Sequence, residues 1–101
     1  MSIEELFPLQ NRYGRFLVGL YLSRRRGERH LSVEELAQLL SMSPLTYRRI
    51  ESGRSKISPQ NFDTLTEVLD LDMDDLIELS RIARIKHIND ISKSLSLNYP
   101  Q

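Results

Sequence analysis

Apolar residues recur along the chain at intervals of three and four, and no stretch alternates strictly between apolar and polar. No Asn-Gly or Asp-Gly turn joins two β-branched runs, so no strand pairing is predicted. Leu9, Tyr13, Phe16, Leu17 and Leu20 fall on one helical face after Pro8, which suits a first helical turn. The spacing predicts a first helix over about 9–26, with Gly27 as its stop and Gly27–His30 as a polar connector. Ser32-Val33-Glu34-Glu35 has the form of a capping box and opens a short second helix over about 33–40. Ser41 and Met42 make a tight turn. Ser43 is a second N-cap, with Pro44 in the favoured first position of a third helix over about 44–52, which Gly53 ends. Arg54–Ser58 is a loop, and Ser58-Pro59 opens a fourth helix carrying Phe62, Leu65, Val68 and Leu69. Asp70–Asp72 separates it from a fifth, whose acidic start suits the helix dipole and whose stripe runs through Leu76, Leu79, Ile82, Ala83 and Ile85. Ile88, Ile91 and Leu95 continue that stripe, and 96–101 reads as a frayed end. The expectation is an all-α fold: a helical domain over 1–80 and a helical extension over 81–101.

A chain of 101 residues fits one compact domain. The absence of cysteine excludes a disulfide or thiolate-zinc framework, and His30 and His87 lie too far apart in sequence for a helical metal pair. Both histidines read as surface residues. Asp70, Asp72, Asp74 and Asp75 lack the central glycine and terminal glutamate of a calcium loop. No nucleophile elbow or phosphate-cradling glycine loop is present, so no enzymatic site, cofactor or metal is expected. The longest apolar run, Phe16–Leu22, is broken by Gly19 and falls well short of the ~20 residues of a membrane span. With no secretory pattern at the start, the expectation is a cytoplasmic protein that does not enter the membrane.

The formal net charge is zero, yet the charge is unevenly spread. Residues 1–30 and 43–58 each carry +3, residues 59–80 carry −7 with no base among them, and residues 81–101 carry +3. Nucleic-acid binding depends on such local basic faces rather than on the total. The third helix places Tyr47 and Ile50 on its inner side and Thr46, Arg48 and Arg49 on its outer side, with Arg54 and Lys56 just beyond. An arginine projecting from such a helix can grip guanine O6 and N7 in a major groove. Two short capped helices joined by a tight turn, with small Ala37 at the joint, are a helix-turn-helix pattern.

From Leu31 to Pro59 the chain resembles the Cro and phage-repressor family of helix-turn-helix proteins, also called the xenobiotic-response-element (XRE) type. The resemblance rests on Leu31, Ser32, Glu34, Glu35, Leu36, Ala37, Leu40, Ser43, Arg49, Ile50, Glu51, Gly53 and Pro59. It implies a five-helix, lambda-repressor-like DNA-binding bundle, a transcriptional regulator that acts as a dimeric repressor, with the third helix reading bases. Base contacts then map to Pro44, Leu45, Thr46, Arg48 and Arg49, and phosphate contacts to Ser32, Val33, Ser43, Ser52, Arg54 and Lys56. Glu51 reads as a structural partner for an arginine of the motif. Arg24, Arg25 and Arg26 read equally as a phosphate clamp or as a charged helix end. Four departures from the family pattern stand out: Val33 replaces a glutamine, Ser41 replaces a glycine, Pro44-Leu45 is apolar where hydrogen-bonding residues are common, and the connector before the second helix is about three residues longer than usual, which displaces Arg24, Arg25 and Arg26.

The extension carries Ile82, Ile85, Ile88, Ile91 and Leu95, more branched apolar side chains than a lone helix can hide. The expected occupant is a second copy, so that a homodimer meets an inverted-repeat site on double-stranded DNA. Folding back on the first helix is the intramolecular alternative. The alternative function is a protein-interaction module, or an antitoxin-type partner binder, gripping a foreign protein through this stripe.

Overall fold

The computed structural model describes residues 10–97, with side chains through residue 95. Five α-helices follow in order: α1 (Arg12–Glu28), α2 (Val33–Leu39), α3 (Pro44–Glu51), α4 (Pro59–Leu69) and α5 (Met73–Leu97). The predicted elements are all present, and no strand occurs among the described residues. The proposed role of Pro8 in a first turn lies outside the described residues. α1 instead opens at Asn11, whose side chain accepts from the Gly14 amide.

Cap chemistry explains the other starts. The Ser32 hydroxyl accepts from the Glu35 amide while the Glu35 carboxylate accepts from the Ser32 amide, completing the capping box. Ser43 and Ser58 cap α3 and α4, each followed by proline. Asp72 starts α5, its carboxylate accepting from the Asp74 amide at 2.8 Å.

The stops differ from the expectation at α1. Gly27 lies inside the helix, and the left-handed residue that ends it is His30, φ 58°. The amide of Leu31 then donates to the Arg26 carbonyl and that of His30 to the Gly27 carbonyl, the Schellman pattern. The same pair of bonds closes α2 around Ser41 (φ 56°), α3 around Gly53 (φ 78°) and α4 around Asp70 (φ 49°). Ser41 therefore takes on a backbone conformation that glycine adopts without strain.

The core gathers Val18, Leu22, Leu36, Ala37, Leu40, Tyr47, Ile50, Phe62, Leu65, Leu69, Leu71 and Leu76. α1 runs through its centre and packs on α3, α4 and α5, while α2 packs on α3. Gly19 permits α1 to lie directly against the last turn of α3. Tyr21 ties α1 to α5, its hydroxyl donating to Asp75 at 2.9 Å and accepting from the Asp72 amide at 3.0 Å. α5 is unbroken from Met73 to Leu97, so no change of element separates domain from extension at residue 80. It turns Leu76, Ser80 and Ala83 inward. Lys86 sits 5.8 Å from the centre of the Tyr13 ring, near the start of α1. Beyond Lys86, every described side chain but Asp90 is exposed.

Candidate nucleic-acid interface

The candidate surface is built on α3. Tyr47 and Ile50 are buried, which fixes the opposite side outward. Leu45 lies at the middle of that outer side and is 59% exposed, a larger fraction than any other large apolar residue among those described. Arg49 stands one turn on from Leu45 and is exposed. Arg48 and half-buried Pro44 flank this line on one side. Thr46 flanks it on the other, its hydroxyl 2.8 Å from that of Ser43.

The two arginines differ in their surroundings. Arg48 Nη2 donates across to Glu34 of α2 at 2.9 Å, and both side chains are more than half exposed. Arg49 has no carboxylate partner among the described residues, and neither have Arg54 and Lys56 in the loop that follows. Of the serines, Ser32 uses its hydroxyl only as an acceptor, leaving its proton to donate. Ser43 accepts from the Thr46 amide. Ser52 already donates its proton to the Arg49 carbonyl. Val33 is half-buried against the core, so only its backbone amide, free of an intrahelical partner at a first helical position, remains for a ligand.

Behind this surface a largely buried ion pair joins the end of α3 to α1. Arg26 of α1 pairs with Glu51 at 2.7 Å, and Glu51 accepts from the Tyr47 hydroxyl at 3.1 Å. Burial and the adjacent carboxylate push the Tyr47 hydroxyl well above the ordinary phenol range. Glu51 is thus structural, as expected, but its partner comes from α1 rather than from the motif. The three consecutive arginines are each engaged within the chain. Arg26 holds Glu51, Arg25 donates to the Leu69 and Asp70 carbonyls at the end of α4, and exposed Arg24 pairs with Glu28.

Sequence reasoning missed two residues of this surface. Glu34 was not visible as the partner of Arg48, because the pair spans two helices. Arg12, exposed and without a carboxylate partner among the described residues, lines one open groove with Tyr13, Phe16, Ser52 and Gly53. It adds a cation beside the loop after α3, though it lies forty residues earlier in the chain.

On α5, Ile82, Ile85, Ile88, Ile91 and Leu95 are 40–53% exposed. They do not form one straight line. A step of three residues falls about 60° short of a full turn, so the row winds around the helix. Ile88, Ile91 and Leu95 share one side with Ile77, while Ile82 and Ile85 lie around from it. All five keep 40% or more of their surface exposed, so packing of α5 on α1 does not bury them. Among the described residues, no group of His, Cys, Asp or Glu is arranged to hold a metal ion, and no helix is long and apolar enough to cross a membrane.

Comparison with known proteins agrees with this geometry. A solved structure, that of the clp gene regulator ClgR from Corynebacterium glutamicum, superposes with a TM-score of 0.59 at 22% identity, over 86% of this chain and 95% of that one. No curated protein sequence matches. The family model described as helix-turn-helix matches residues 22–76, more than half of the chain, and spans α2, the turn and α3. The chain belongs to the helix-turn-helix family of DNA-binding regulators, of the Cro and phage-repressor (XRE) type.

Proposed function

We propose that the protein is a sequence-specific regulator of transcription, a cytoplasmic homodimeric repressor that reads an inverted repeat with α3 of each protomer. The observation that carries this reading is the outer side of α3: an exposed leucine and, one turn on, an exposed arginine with no carboxylate partner among the described residues, flanked by a second arginine and followed by Arg54 and Lys56. Arg49 suits guanine O6 and N7, and Leu45, which offers no hydrogen bond, suits the methyl group of thymine. Arg48 adds a second base contact, with Pro44 and Thr46 at the edges. Arg54, Lys56 and Arg12 suit phosphates, which position the protein without reading sequence. The Ser32 hydroxyl and the Val33 amide supply neutral donors to the backbone, as does whichever of the paired Ser43 and Thr46 hydroxyls keeps its proton free. Ser52 must first turn its proton away from Arg49 to do the same.

Dimerisation is supported by α5. Its first turns carry Asp74, Asp75 and Glu78, the last paired with Arg81, and its later turns carry Arg84, Lys86 and Lys93 against Asp90 alone. Antiparallel pairing with a second copy brings unlike charges together and covers Ile88, Ile91 and Leu95. A two-fold dimer presents its recognition helices about 34 Å apart, one turn of DNA. The ClgR structure is titled as that of a gene regulator, which accords with this role.

Selection of binding sites from random duplex DNA tests the proposal. It should enrich an inverted repeat containing guanine and thymine in each half-site. If each protomer neutralises about four phosphates, log K should fall with log salt at a slope of about −7. Failure to enrich any sequence at low salt contradicts DNA recognition. Stoichiometric capture of a foreign protein by α5 without sequence selection favours the interaction-module reading instead.

A further inference from the structure

We propose that Glu34 is a specificity residue: its carboxylate holds Arg48 in place for a base and penalises DNA of arbitrary sequence. This rests on the reading of α3 given above and assigns a role to a residue of α2 within it.

Glu34 and Arg48 meet at 2.9 Å across the two helices of the motif, 62% and 56% exposed in their side chains. An exposed ion pair of this kind adds little to folding stability. The packing of α2 on α3 is already secured by Leu36, Ala37, Tyr47 and Ile50, all buried. The neighbouring Glu35 is engaged in the capping box, which leaves Glu34 as the acid that reaches across. Arg49, one residue along, has no carboxylate partner among the described residues.

The bond to Glu34 uses Nη2 of Arg48, and the rest of the guanidinium keeps its donors. A guanidinium already held in one orientation loses less freedom when it meets a base edge. A phosphate faces a different situation. It must either draw Arg48 away from Glu34 or accept a carboxylate close by. On random DNA, where phosphates are the main contacts, that cost is uncompensated. On the correct site the base contact offsets it. Glu34 thus lowers affinity for random DNA more than for the site.

The test compares affinities for the selected site and for a random duplex, using the full chain. The proteins are the wild type, Glu34→Ala, Arg48→Ala and the double variant, with helicity checked by circular dichroism. Removing one like charge about 4 Å from a phosphate near solvent corresponds to about a fivefold change. Glu34→Ala should therefore raise affinity for the random duplex by about fivefold and that for the site by less, so that the ratio of the two falls by about threefold. In the Arg48→Ala background the same change should leave the ratio unaltered. An unchanged ratio in Glu34→Ala overturns the proposal. An equal fall in both backgrounds also overturns it, because Glu34 then acts as a general negative charge and not through Arg48. A wild type that prefers no sequence overturns the reading of α3 itself, and this inference with it.

Discussion

Gly19 of α1 lies against the carbonyl of Glu51, the last residue of α3, so closely that a Cβ at position 19 would overlap that oxygen. The obstacle is backbone and cannot swing aside. Gly19→Ala must therefore push α3 away from α1 or strain both, at a cost of about 1–3 kcal/mol or more. Gly27 is the control: its added Cβ meets nothing within 4 Å, and it lies within a helix. Gly27→Ala should stabilise by about 0.5–1 kcal/mol. Urea denaturation of the two variants checks both signs.

The same end of α3 is held by charge. Arg26 and Glu51 have side chains only 19% and 12% exposed. Removing either partner alone leaves a largely buried charge unpaired and should cost about 3 kcal/mol. Replacing both by leucine and methionine should cost less than either single change. The four proteins form a double-mutant cycle measurable by chemical denaturation.

Alkaline pH acts on the partner of that pair. The folded state holds the Tyr47 hydroxyl protonated well above its ordinary range, and burial also raises that of Tyr21. In the unfolded chain both ionise near pH 10. Above that point the unfolded state has lost protons that the folded state retains, so stability falls as pH rises, by about 1.4 kcal/mol per pH unit for Tyr47, with Tyr21 acting in the same direction. Below pH 10 the two contribute no slope. Denaturation followed from pH 8 to 11 should show the fall, and Tyr47→Phe should make it shallower.

Ser41 turns the chain between α2 and α3 with φ 56°. Its Cβ disfavours that conformation by about 1 kcal/mol relative to glycine. Ser41→Gly should raise stability by about 0.5–1 kcal/mol while leaving DNA affinity unchanged, as thermal melts and binding assays on one preparation can check.

If α5 pairs two copies, Ile88→Asp with Ile91→Asp should give a monomer by light scattering, with a fold intact by circular dichroism. Site affinity should fall steeply, because each half-site is then bound alone. A double variant that stays dimeric places the interface elsewhere.

The elements legible in the sequence were those made by local chemistry. Ser32 with Glu35, Ser43 with Pro44, and Ser58 with Pro59 announce helix starts because a cap needs only residues within one turn. The stop of α1 was not legible. Glycine at 27 is tolerated within a helix, and the left-handed turn fell on His30, stabilised by Leu31 packing against the core. Arg24, Arg25 and Arg26 look alike in sequence but are held differently: Arg24 by Glu28, Arg25 by Glu28 and the end of α4, Arg26 by Glu51. The pairing of Glu34 with Arg48 was hidden for the same reason. The inward side of α3 was readable because Tyr47 and Ile50 repeat at helical spacing, and that spacing also fixes the outward side.

The central claim is that α3 reads bases while the loop after it grips phosphates. It is tested most directly by measuring affinity for the selected site and for single-base variants of it, with Arg49→Ala and Arg54→Ala compared to wild type. Arg49→Ala should lose about 1–3 kcal/mol of discrimination at one position in each half-site, whereas Arg54→Ala should weaken every duplex alike and reduce the salt slope. Equal, sequence-independent losses from both variants would contradict the claim.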